Sequence, residues 1–278
     1  MLPVPSSVTS SSPRPLTSPS SVCKTSCIRT WQGNGRSYRK WRSIHTHDQG
    51  MDANKLERIG THDLDTIQGP FTYEALPPKD INFIPLNQSK KMNGEELMTF
   101  YEADKHLSRY LHIIRDKPVY PVIFDANKVV CSLPPIINGD HSKITLNTTN
   151  VFIEITASDQ TKLDIVCNIM VAMFSKYCEE PFTIEPVKII SEHNGVTRTT
   201  PSLTTRVIDV GVEYVNECSG LQESAESICQ LLSKMAYKAE PSSDSKSVKV
   251  SVPPTRADVL HACDVVSACS WRSLLMTE

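Results

Sequence analysis

The stretch VFIEITASDQTKLDIVCNIMVAMF, residues 151–174, changes its hydrophobic period in the middle and decides the fold around it. Its first six residues are mostly apolar or β-branched, which predicts a strand. From residue 160 the apolar residues recur at helical spacing, and this spacing continues to about residue 178. Ser158 or Asp159 is placed to cap the helix. The sequence therefore predicts a buried strand that leads directly into a helix.

The segments on either side predict further strands joined by tight turns. Upstream, YPVIFD and VVCSL flank residues 126–128, and KITL and VFIEIT flank residues 147–150, which predicts two hairpins. Downstream, FTIEPVKII and VTRTT flank the turn HNG. These strands surround the predicted helix and indicate a compact β-rich unit with packed helices, an α+β fold.

A second helix is predicted before the strands begin. Asn93 and Glu96 have the spacing of a capping box. Apolar residues at helical spacing continue from Leu97 to Ile114, and Pro118 stops the helix.

A second, smaller α+β unit is predicted from about Pro201 onward. TRVIDVGVEYV predicts a strand, residues 222–239 an amphipathic helix, and SVKVSV an alternating strand. PPTRADVLHACDVV predicts the start of another helix, with Pro254 at its entrance and Thr255 as a candidate cap.

Charge, hydropathy and cysteine usage exclude several classes of protein. A formal net charge of −2 and a pI near 6.5 argue against a wholly basic nucleic-acid binder. No apolar run approaches the roughly 20 residues that a membrane helix needs. The nine cysteines are odd in number and several lie inside apolar runs, which is typical of reduced thiols in a cytosolic protein.

Residues 1–51 differ in composition from the rest of the chain. Ser and Pro dominate the first twenty residues, and no acidic residue precedes Asp48. There is no apolar core of a secretory signal. The composition favours a disordered leader, and an organellar transit peptide remains the alternative.

Two loops are the strongest candidates for a functional site. In PPIINGDH, residues 134–141, the prolines remove backbone donors and exclude a central strand, while Gly139 tolerates positive φ and leaves room for something to approach the backbone. The second loop, ITASDQTK, runs into a helix N-terminus that favours a negative group. Asp159 and Thr161 can line a pocket whose opposite wall is the PPIING loop. Turn formation by the first loop and simple helix capping by Asp159 are the alternatives.

A third candidate is TRADVLHACD. Asp258 and Asp264, together with solvent, have the chemistry for a hard cation such as Mg²⁺. Solvated surface carboxylates or an ordinary ion-pair network are the alternatives. The chain has no phosphate-cradling GxxxxGKS, no GxSxG and no HExxH motif, and we assign no catalytic residue.

Several long strings of this sequence closely resemble one family. They are THDLDTIQGPFTY, YLHIIRDKPVYPVIFD, PPIINGDHSKITLNTTNVFIEIT, SDQTKLDI, MFSKYCEEPFTIE and PPTRADVLHACD. All resemble, in the same order, the β subunit of eukaryotic cytosolic phenylalanyl-tRNA synthetase. The resemblance runs from about Asp52 to about Val266 and corresponds to an internal part of that subunit.

The resemblance implies a division into three parts. Residues 1–51 are a disordered or non-family leader. Residues 52–202 correspond to the editing domain with its preceding segment, a mixed β-sheet with packed helices. Residues 203–278 correspond to a small winged-helix-like α+β module, expected to be truncated because the family continues differently after residue 266.

The resemblance also implies an activity and its partners. The family is an α2β2 ligase that uses ATP and Mg²⁺ to attach phenylalanine to tRNA(Phe) in the cytoplasm. Aminoacylation takes place in the α subunit, and the β editing domain hydrolyses tyrosine wrongly attached to that tRNA. A non-catalytic fragment that binds tRNA or the α subunit, or a truncated non-functional product, are the alternatives.

The implied site residues follow from the matched strings. Asp159 and Thr161 match the Asp-x-Thr of the editing pocket, Gly139 falls on its opposite wall, and Val130 or Cys131 adds apolar lining. For Mg²⁺, Asp258 and Asp264 match two acidic ligands. The next two ligands of the family fall on Ser267 and Ala268, which are not acidic.

Overall fold

The structure is a computed structural model that describes residues 7–10, 24–30, 57–191 and 195–274. The chain divides into two compact units, Met1–Pro201 and Ser202–Glu278. This division lies one residue before the boundary expected from the sequence.

The first unit contains twelve strands and three α-helices among its described residues. The strands are β1 (Ser7–Ser10), β2 (Lys24–Thr30), β3 (Glu57–Asp63), β4 (Phe71–Leu76), β5 (Asn82–Phe83), β6 (Met92–Asn93), β7 (Tyr120–Phe124), β8 (Val130–Leu133), β9 (Ile137–Asn138), β10 (Val151–Ala157), β11 (Val187–Ser191) and β12 (Thr197–Thr200). The helices are α1 (Gly94–Phe100), α2 (Ser108–Leu111) and α3 (Gln160–Ser175).

These strands form two main sheets. The larger has the order β12-β11-β1-β4-β7-β8-β9 and is mixed, because β1 runs parallel to both β11 and β4 while the other pairs are antiparallel. The smaller sheet has the antiparallel order β2-β10-β3. A short pair, β5 and β6, lies beside them.

Strand β10 is the centre of the first unit. All seven of its residues are buried, and it has a partner strand on each side. Its odd-numbered residues pack with the apolar face of α3 in one cluster that includes Leu163 and Cys167. On its other face, Phe152 stacks on Phe71 of β4 with ring centroids 4.2 Å apart. Each such buried aromatic or aliphatic side chain contributes about 1.5–3 kcal/mol to stability relative to an exposed one.

The predicted strand-to-helix unit and two of the three predicted hairpins are confirmed. Of the two predicted cap residues, Ser158 and Asp159, it is Asp159 that forms the N-cap of α3. Strands β7 and β8 pair antiparallel, and so do β11 and β12. The predicted turn HNG falls partly on residues 192–194, which lie outside the described residues.

The predicted KITL–VFIEIT hairpin is wrong. Residues 143–146 form no strand, and β10 pairs with β2 and β3 instead. The backbone N–H and C=O groups along both edges of a buried strand need hydrogen-bonding partners, and for β10 these come from β2 and β3, which are distant in sequence. Strand β2, like β1, lies in the leader for which the sequence predicts disorder, so that prediction differs from the structure at these two strands.

The predicted helix from Asn93 to about residue 116 starts as expected but is not continuous. The Asn93–Glu96 capping box is present. Helix α1 ends at Phe100, and Asp104 takes an extended conformation after a 3₁₀ turn. The Asp104 carboxylate accepts hydrogen bonds from the amides of His106 and Leu107, both at 2.8 Å, and so starts a new short helical segment.

The second unit is an α+β module with its own core. Its elements are β13 (Arg206–Gly211), α4 (Val212–Ser219), α5 (Ala225–Lys234), β14 (Lys238–Pro241), β15 (Ser247–Val252) and α6 (Ala262–Leu274). The strands form an antiparallel sheet in the order β13-β15-β14. Helices α4, α5 and α6 contribute Val215, Ile228 and Val265 to a core that includes Val250 of β15.

Three predictions for this unit need correction. The helix predicted over residues 222–239 spans Ala225–Lys234, and Lys238 and Ala239 lie in strand β14. The strand predicted over TRVIDVGVEYV ends at Gly211, and Val212 begins a helix. The last helix begins at Ala262 rather than near Thr255, because residues 253–261 form turns. The Asp264 carboxylate accepts hydrogen bonds from the amides of Leu260 and His261, both at 2.8 Å, and this fixes the start of α6.

Candidate functional site

The predicted Asp159–Thr161 pair lies where β10 ends and α3 begins. Both side chains are exposed, although the strand before them is fully buried. The Asp159 carboxylate accepts a hydrogen bond from the amide of Lys162 at 3.0 Å. The structure therefore places a carboxylate and a hydroxyl on the surface beside the first amides of a sixteen-residue helix.

Gly139 lies in the opposite loop, packed closely against β8. Its amide donates to the carbonyl of Cys131 at 2.8 Å. A Cβ at Gly139 would lie 2.5 Å from the carbonyl oxygen of Val130, which is too close for any side chain. Gly139 is not among the glycines with positive φ. The glycine is therefore required by the close approach of strand β8, and its tolerance of positive φ is not used.

Val130 and Cys131 point to different cores, because neighbouring residues of a strand face opposite sides. Val130 packs in the cluster that surrounds α1, whereas Cys131 packs with Phe152 between the two sheets. Burial, with the carboxylates of Asp125 and Glu154 nearby, raises the pKa of the Cys131 thiol far above its usual value. Cys131 is therefore a neutral packing residue at neutral pH, on the side of β8 that faces β10.

Arg58 connects the two halves of the candidate site. It lies on β3 opposite Thr156, three residues before Asp159. Its Nη2 donates to the side-chain oxygen of Asn138 at 2.5 Å, and Asn138 is the residue before Gly139. The structure thus joins the loop that carries Gly139 to the strand that ends at Asp159 through one side chain.

Sequence reasoning missed the polar residues behind this connection: Arg58, His62 and Glu154. Glu154 and His62 are fully buried, and the His62 Nε2 and Glu154 Oε1 atoms are 3.8 Å apart. Burial lowers the pKa of the Arg58 guanidinium to about 10, and the nearby Glu154 carboxylate opposes this shift. A signal was available, because Glu154 is the one charged residue in the apolar run VFIEIT, and charged residues are almost never fully buried unless paired.

The start of α3 offers two kinds of group to a polar ligand: a carboxylate that accepts hydrogen bonds and backbone amides that donate them. An exposed carboxylate accepts a hydrogen bond from a hydroxyl group strongly. The amides in the first turn of α3 point out of the helix end, where negative charge is favoured.

The acidic residues predicted to bind Mg²⁺ are engaged in other interactions. Both oxygens of Asp258 accept hydrogen bonds from the Arg256 guanidinium at 2.8–3.2 Å, and this pairing holds the pKa of Asp258 below its usual value. Asp264 lies at the start of α6 and accepts from two backbone amides. Among the described residues there is no group of three or more His, Cys, Asp or Glu side chains that could hold a metal ion. Ser267 and Ala268, at the positions of the further expected ligands, supply no carboxylate, so the residues present do not fit a magnesium site.

Within the described ranges, no helix has both the length and the apolar character needed to cross a membrane.

Two domain models match the chain. The B3/4 domain matches residues 55–179, which include both loops of the candidate site. The tRNA synthetase B5 domain matches residues 208–267, within the second unit.

Curated relatives are similar over most of this chain. The phenylalanine–tRNA ligase β subunit of Schizosaccharomyces pombe is 57% identical over 212 residues, which cover 76% of this chain and 36% of the relative. The β subunit of Saccharomyces cerevisiae is 49% identical over 86% of this chain and 41% of the relative. That of Homo sapiens is 51% identical over 83% of this chain and 40% of the relative. The chain thus spans about two fifths of the length of the curated relatives that it matches.

A solved structure has the same fold. The crystal structure of an N-terminal fragment of the phenylalanyl-tRNA synthetase β subunit from Pyrococcus horikoshii matches with a TM-score of 0.79 and 25% sequence identity, over 96% of this chain and 74% of that chain.

Proposed function

We propose that the chain, over the part that it spans, belongs to the phenylalanine–tRNA ligase β-subunit family, and that its first unit is an editing domain that hydrolyses tyrosyl-tRNA(Phe). The observation that carries this proposal is the exposed pair of Asp159 and Thr161 at the end of a fully buried strand. A rigid strand that ends in an exposed carboxylate holds that carboxylate in a defined position.

The chemistry of the misattached amino acid explains why a carboxylate is useful. Tyrosine differs from phenylalanine by one hydroxyl. The apolar amino-acid pocket of an aminoacylation site rejects such an added hydroxyl only weakly. A second site that hydrogen-bonds the hydroxyl selects the error, since phenylalanine leaves the polar group of the site unpaired. In this proposal the Asp159 carboxylate accepts the phenol O–H, Thr161 adds a polar contact, and the loop with Gly139 forms the opposite wall.

Hydrolysis requires a water molecule and stabilisation of negative charge. The water oxygen attacks the ester carbonyl, the bond from the carbonyl carbon to the ribose oxygen breaks, and a proton passes to that leaving oxygen, which releases tyrosine and tRNA. Amides at the start of α3 are the candidates for stabilising the oxyanion in this step. Apolar lining comes from the Val130–Cys131 strand, with Cys131 on the side that faces β10.

The partners and cofactors of the whole enzyme are part of the same proposal. We expect this chain to act with tRNA(Phe) and with an α subunit in an α2β2 assembly in the cytoplasm, where the α subunit uses ATP and Mg²⁺ for aminoacylation. The second unit corresponds to the winged-helix-like module of the family. Because Asp258 is paired with Arg256 and Asp264 caps α6, no step in this proposal depends on a metal held by this chain.

A pair of substitutions at Asp159 tests the proposal. Asp159 both caps α3 and presents a carboxylate, so a change to alanine removes two functions at once. Asn is as good a helix cap as Asp, but as a neutral acceptor it binds a phenol hydroxyl less strongly. We therefore expect Asp159→Asn to keep the thermal stability of the chain and to lose at least about tenfold in kcat/KM for tyrosyl-tRNA(Phe) hydrolysis, equivalent to about 1.4 kcal/mol.

The assay is release of labelled tyrosine from tyrosyl-tRNA(Phe) by the full chain, with phenylalanyl-tRNA(Phe) as the competing substrate. Asp159→Ala is the comparison, with the same loss of activity and about 1 kcal/mol lower stability from the lost cap. Equal hydrolysis by the unaltered chain and Asp159→Asn contradicts the pocket assignment. Binding of tRNA without any hydrolysis by the unaltered chain favours the alternative of a non-catalytic binding fragment.

A further inference from the structure

The polar face of strand β3 carries an arrangement that the proposed editing chemistry does not use. Arg58, Gly60 and His62 alternate along β3 and therefore share one face of the sheet. Glu154 of β10 lies directly opposite Gly60. A Cβ at Gly60 would lie 2.3 Å from Glu154 Oε1, so the missing side chain provides the space that the Glu154 carboxylate occupies between Arg58 and His62.

This arrangement is expected to lower the stability of the fold, because it buries charged groups that have few hydrogen-bond partners. The Glu154 side chain is only 1% exposed, and neither of its oxygens has a hydrogen-bond partner among the described residues. The same holds for Arg58 Nε and His62 Nε2. A buried charge without good partners destabilises a protein, and apolar residues of the same volume are often better for stability. Stability alone therefore does not explain an ionic cluster on a strand whose other face is apolar.

The contacts of the cluster lead to the loop that carries Gly139. Arg58 donates to Asn138 at 2.5 Å. His62 Nδ1 and Ser142 Oγ form a hydrogen bond at 2.8 Å, and the amide of Asp63 donates to the carbonyl of Ser142 at 2.9 Å. The cluster thus contacts the loop just before and just after Gly139.

We propose that Arg58, His62 and Glu154 are positioning residues that hold segment 138–142 against β3, the partner strand of β10, and so set the separation between Gly139 and the Asp159–Thr161 pair. In this arrangement Glu154 provides the negative charge that keeps the Arg58 guanidinium in the interior, where it reaches Asn138. The inference rests on the proposed editing function for its catalytic consequence. Its structural part, the fixing of the loop, stands on the contacts alone.

Two substitutions test the proposal from opposite ends. Glu154→Gln keeps the shape of the side chain and removes the charge opposite Arg58. Asn138→Ala leaves the buried charges intact and removes the contact to Arg58 in the loop, so it remains informative if Glu154→Gln fails to fold. Glu102→Gln is the matched control, because it breaks the exposed Arg115–Glu102 ion pair elsewhere in the same unit.

Amide hydrogen exchange of the full chain measures the loop directly. The amides of Leu86, Gly139 and Asp140 donate to backbone carbonyls that hold the loop in place. We expect both test variants to raise their exchange rates by about tenfold or more while the central amides of α3 remain unchanged. The control variant leaves both sets of amides unchanged. Unchanged loop exchange in both folded test variants, or an equal rise in the loop and in α3, overturns the proposal.

The catalytic consequence is read from steady-state hydrolysis of tyrosyl-tRNA(Phe). If the loop that carries Gly139 is displaced, kcat is expected to fall by about tenfold or more with little change in KM. The reason is that the loop controls how the bound ester is placed for attack. A change in KM alone contradicts the positioning role. If the unaltered chain does not hydrolyse this substrate, the proposed function fails, and the exchange measurement still decides whether the cluster fixes the loop.

Discussion

Gly60 shows how one residue without a side chain permits a buried charge. The strand position faces Glu154, and a methyl group there would meet three atoms of the Glu154 side chain within 3 Å. We predict that Gly60→Ala lowers the free energy of unfolding of the first unit by about 1–3 kcal/mol, since overpacking forces neighbouring atoms to move. Urea denaturation followed by circular dichroism measures this.

The same substitution elsewhere in the chain provides the control. At Gly211 the nearest atom to a new Cβ is Tyr214 Cβ at 3.8 Å, an ordinary contact. Gly211→Ala is therefore expected to change stability by less than about 1 kcal/mol. The expected change is a small loss, because Gly211 is the N-cap of α4, a position that favours glycine over alanine. Equal losses from the two substitutions would show that Glu154 does not fill the space beside Gly60.

Gly139 shows what sequence can and cannot predict at this scale. The dipeptide Asn138-Gly139 indicates a turn glycine, and the position does need glycine. The reason lies in Val130, nine residues upstream, whose carbonyl oxygen occupies the space for a side chain. A residue pattern identifies the requirement, whereas its cause depends on which strand packs against it.

At the scale of elements, Asp104 decides where one predicted helix becomes two. Its two backbone hydrogen bonds, to Leu107 and His106, lower the pKa of the Asp104 carboxyl below its usual value. A lowered pKa in the folded state means that the carboxylate contributes stability above the pKa of the unfolded chain. This contribution is lost as the pH falls through the lower folded value.

We therefore predict that the segment beginning at His106 loosens in acid. Amide exchange of residues 106–111, corrected for the intrinsic effect of pH, should rise as the pH falls below about 4, the ordinary range for an aspartate. Asp104→Asn keeps two acceptor bonds but has no charge to titrate, so its corrected exchange should be flat over the same range. A rise of the same size in both proteins would assign the acid sensitivity to another group.

Helices and strands of this chain were predictable where one local signal dominated. The Asn93–Glu96 capping box, the β7–β8 hairpin and the Asp159 cap all depend on neighbours in sequence. The predicted KITL hairpin was wrong because β10 pairs with distant strands instead. The predicted early start of α6 was wrong because Asp264 caps the helix further along the chain. Strand β10 pairs with segments about 90 and 125 residues before it, which no turn signal reveals.

At the scale of the molecule, the candidate site depends on a connection that periodicity does not show. Asp159, Thr161 and Gly139 were identified from sequence, but nothing in their spacing indicates that Arg58 links the two loops. The link arises because β3 pairs with β10 while the loop before β10 covers the polar face of β3. The candidate site is therefore formed only when the sheet brings three segments together: β3, the end of β10 and the loop before β10.

The two units are expected to separate as independent domains. Residues Ser202–Glu278 enclose their own core, in which Ile228, Leu232 and Val250 are 1% exposed or less, and every member of this core lies after residue 201. Domains of this size can fold alone, though with modest stability. The residues proposed for editing all lie in the first unit. We predict that residues 1–201 and residues 202–278, produced separately, each keep the amide-exchange protection that they have in the full chain.

Brief thermolysin digestion of the full chain gives an independent measurement, because residues 202–207 are exposed and include the apolar side chains of Leu203 and Val207. The first cut is expected in this segment, with two resistant products. Fragment 1–201 should retain tyrosyl-tRNA(Phe) hydrolysis within about threefold in kcat, since its pocket residues and the Arg58–Glu154 cluster are intact. Loss of hydrolysis by a fragment that remains folded would mean that the second unit takes part in the reaction. Loss of exchange protection in both fragments would mean that neither core is sufficient by itself.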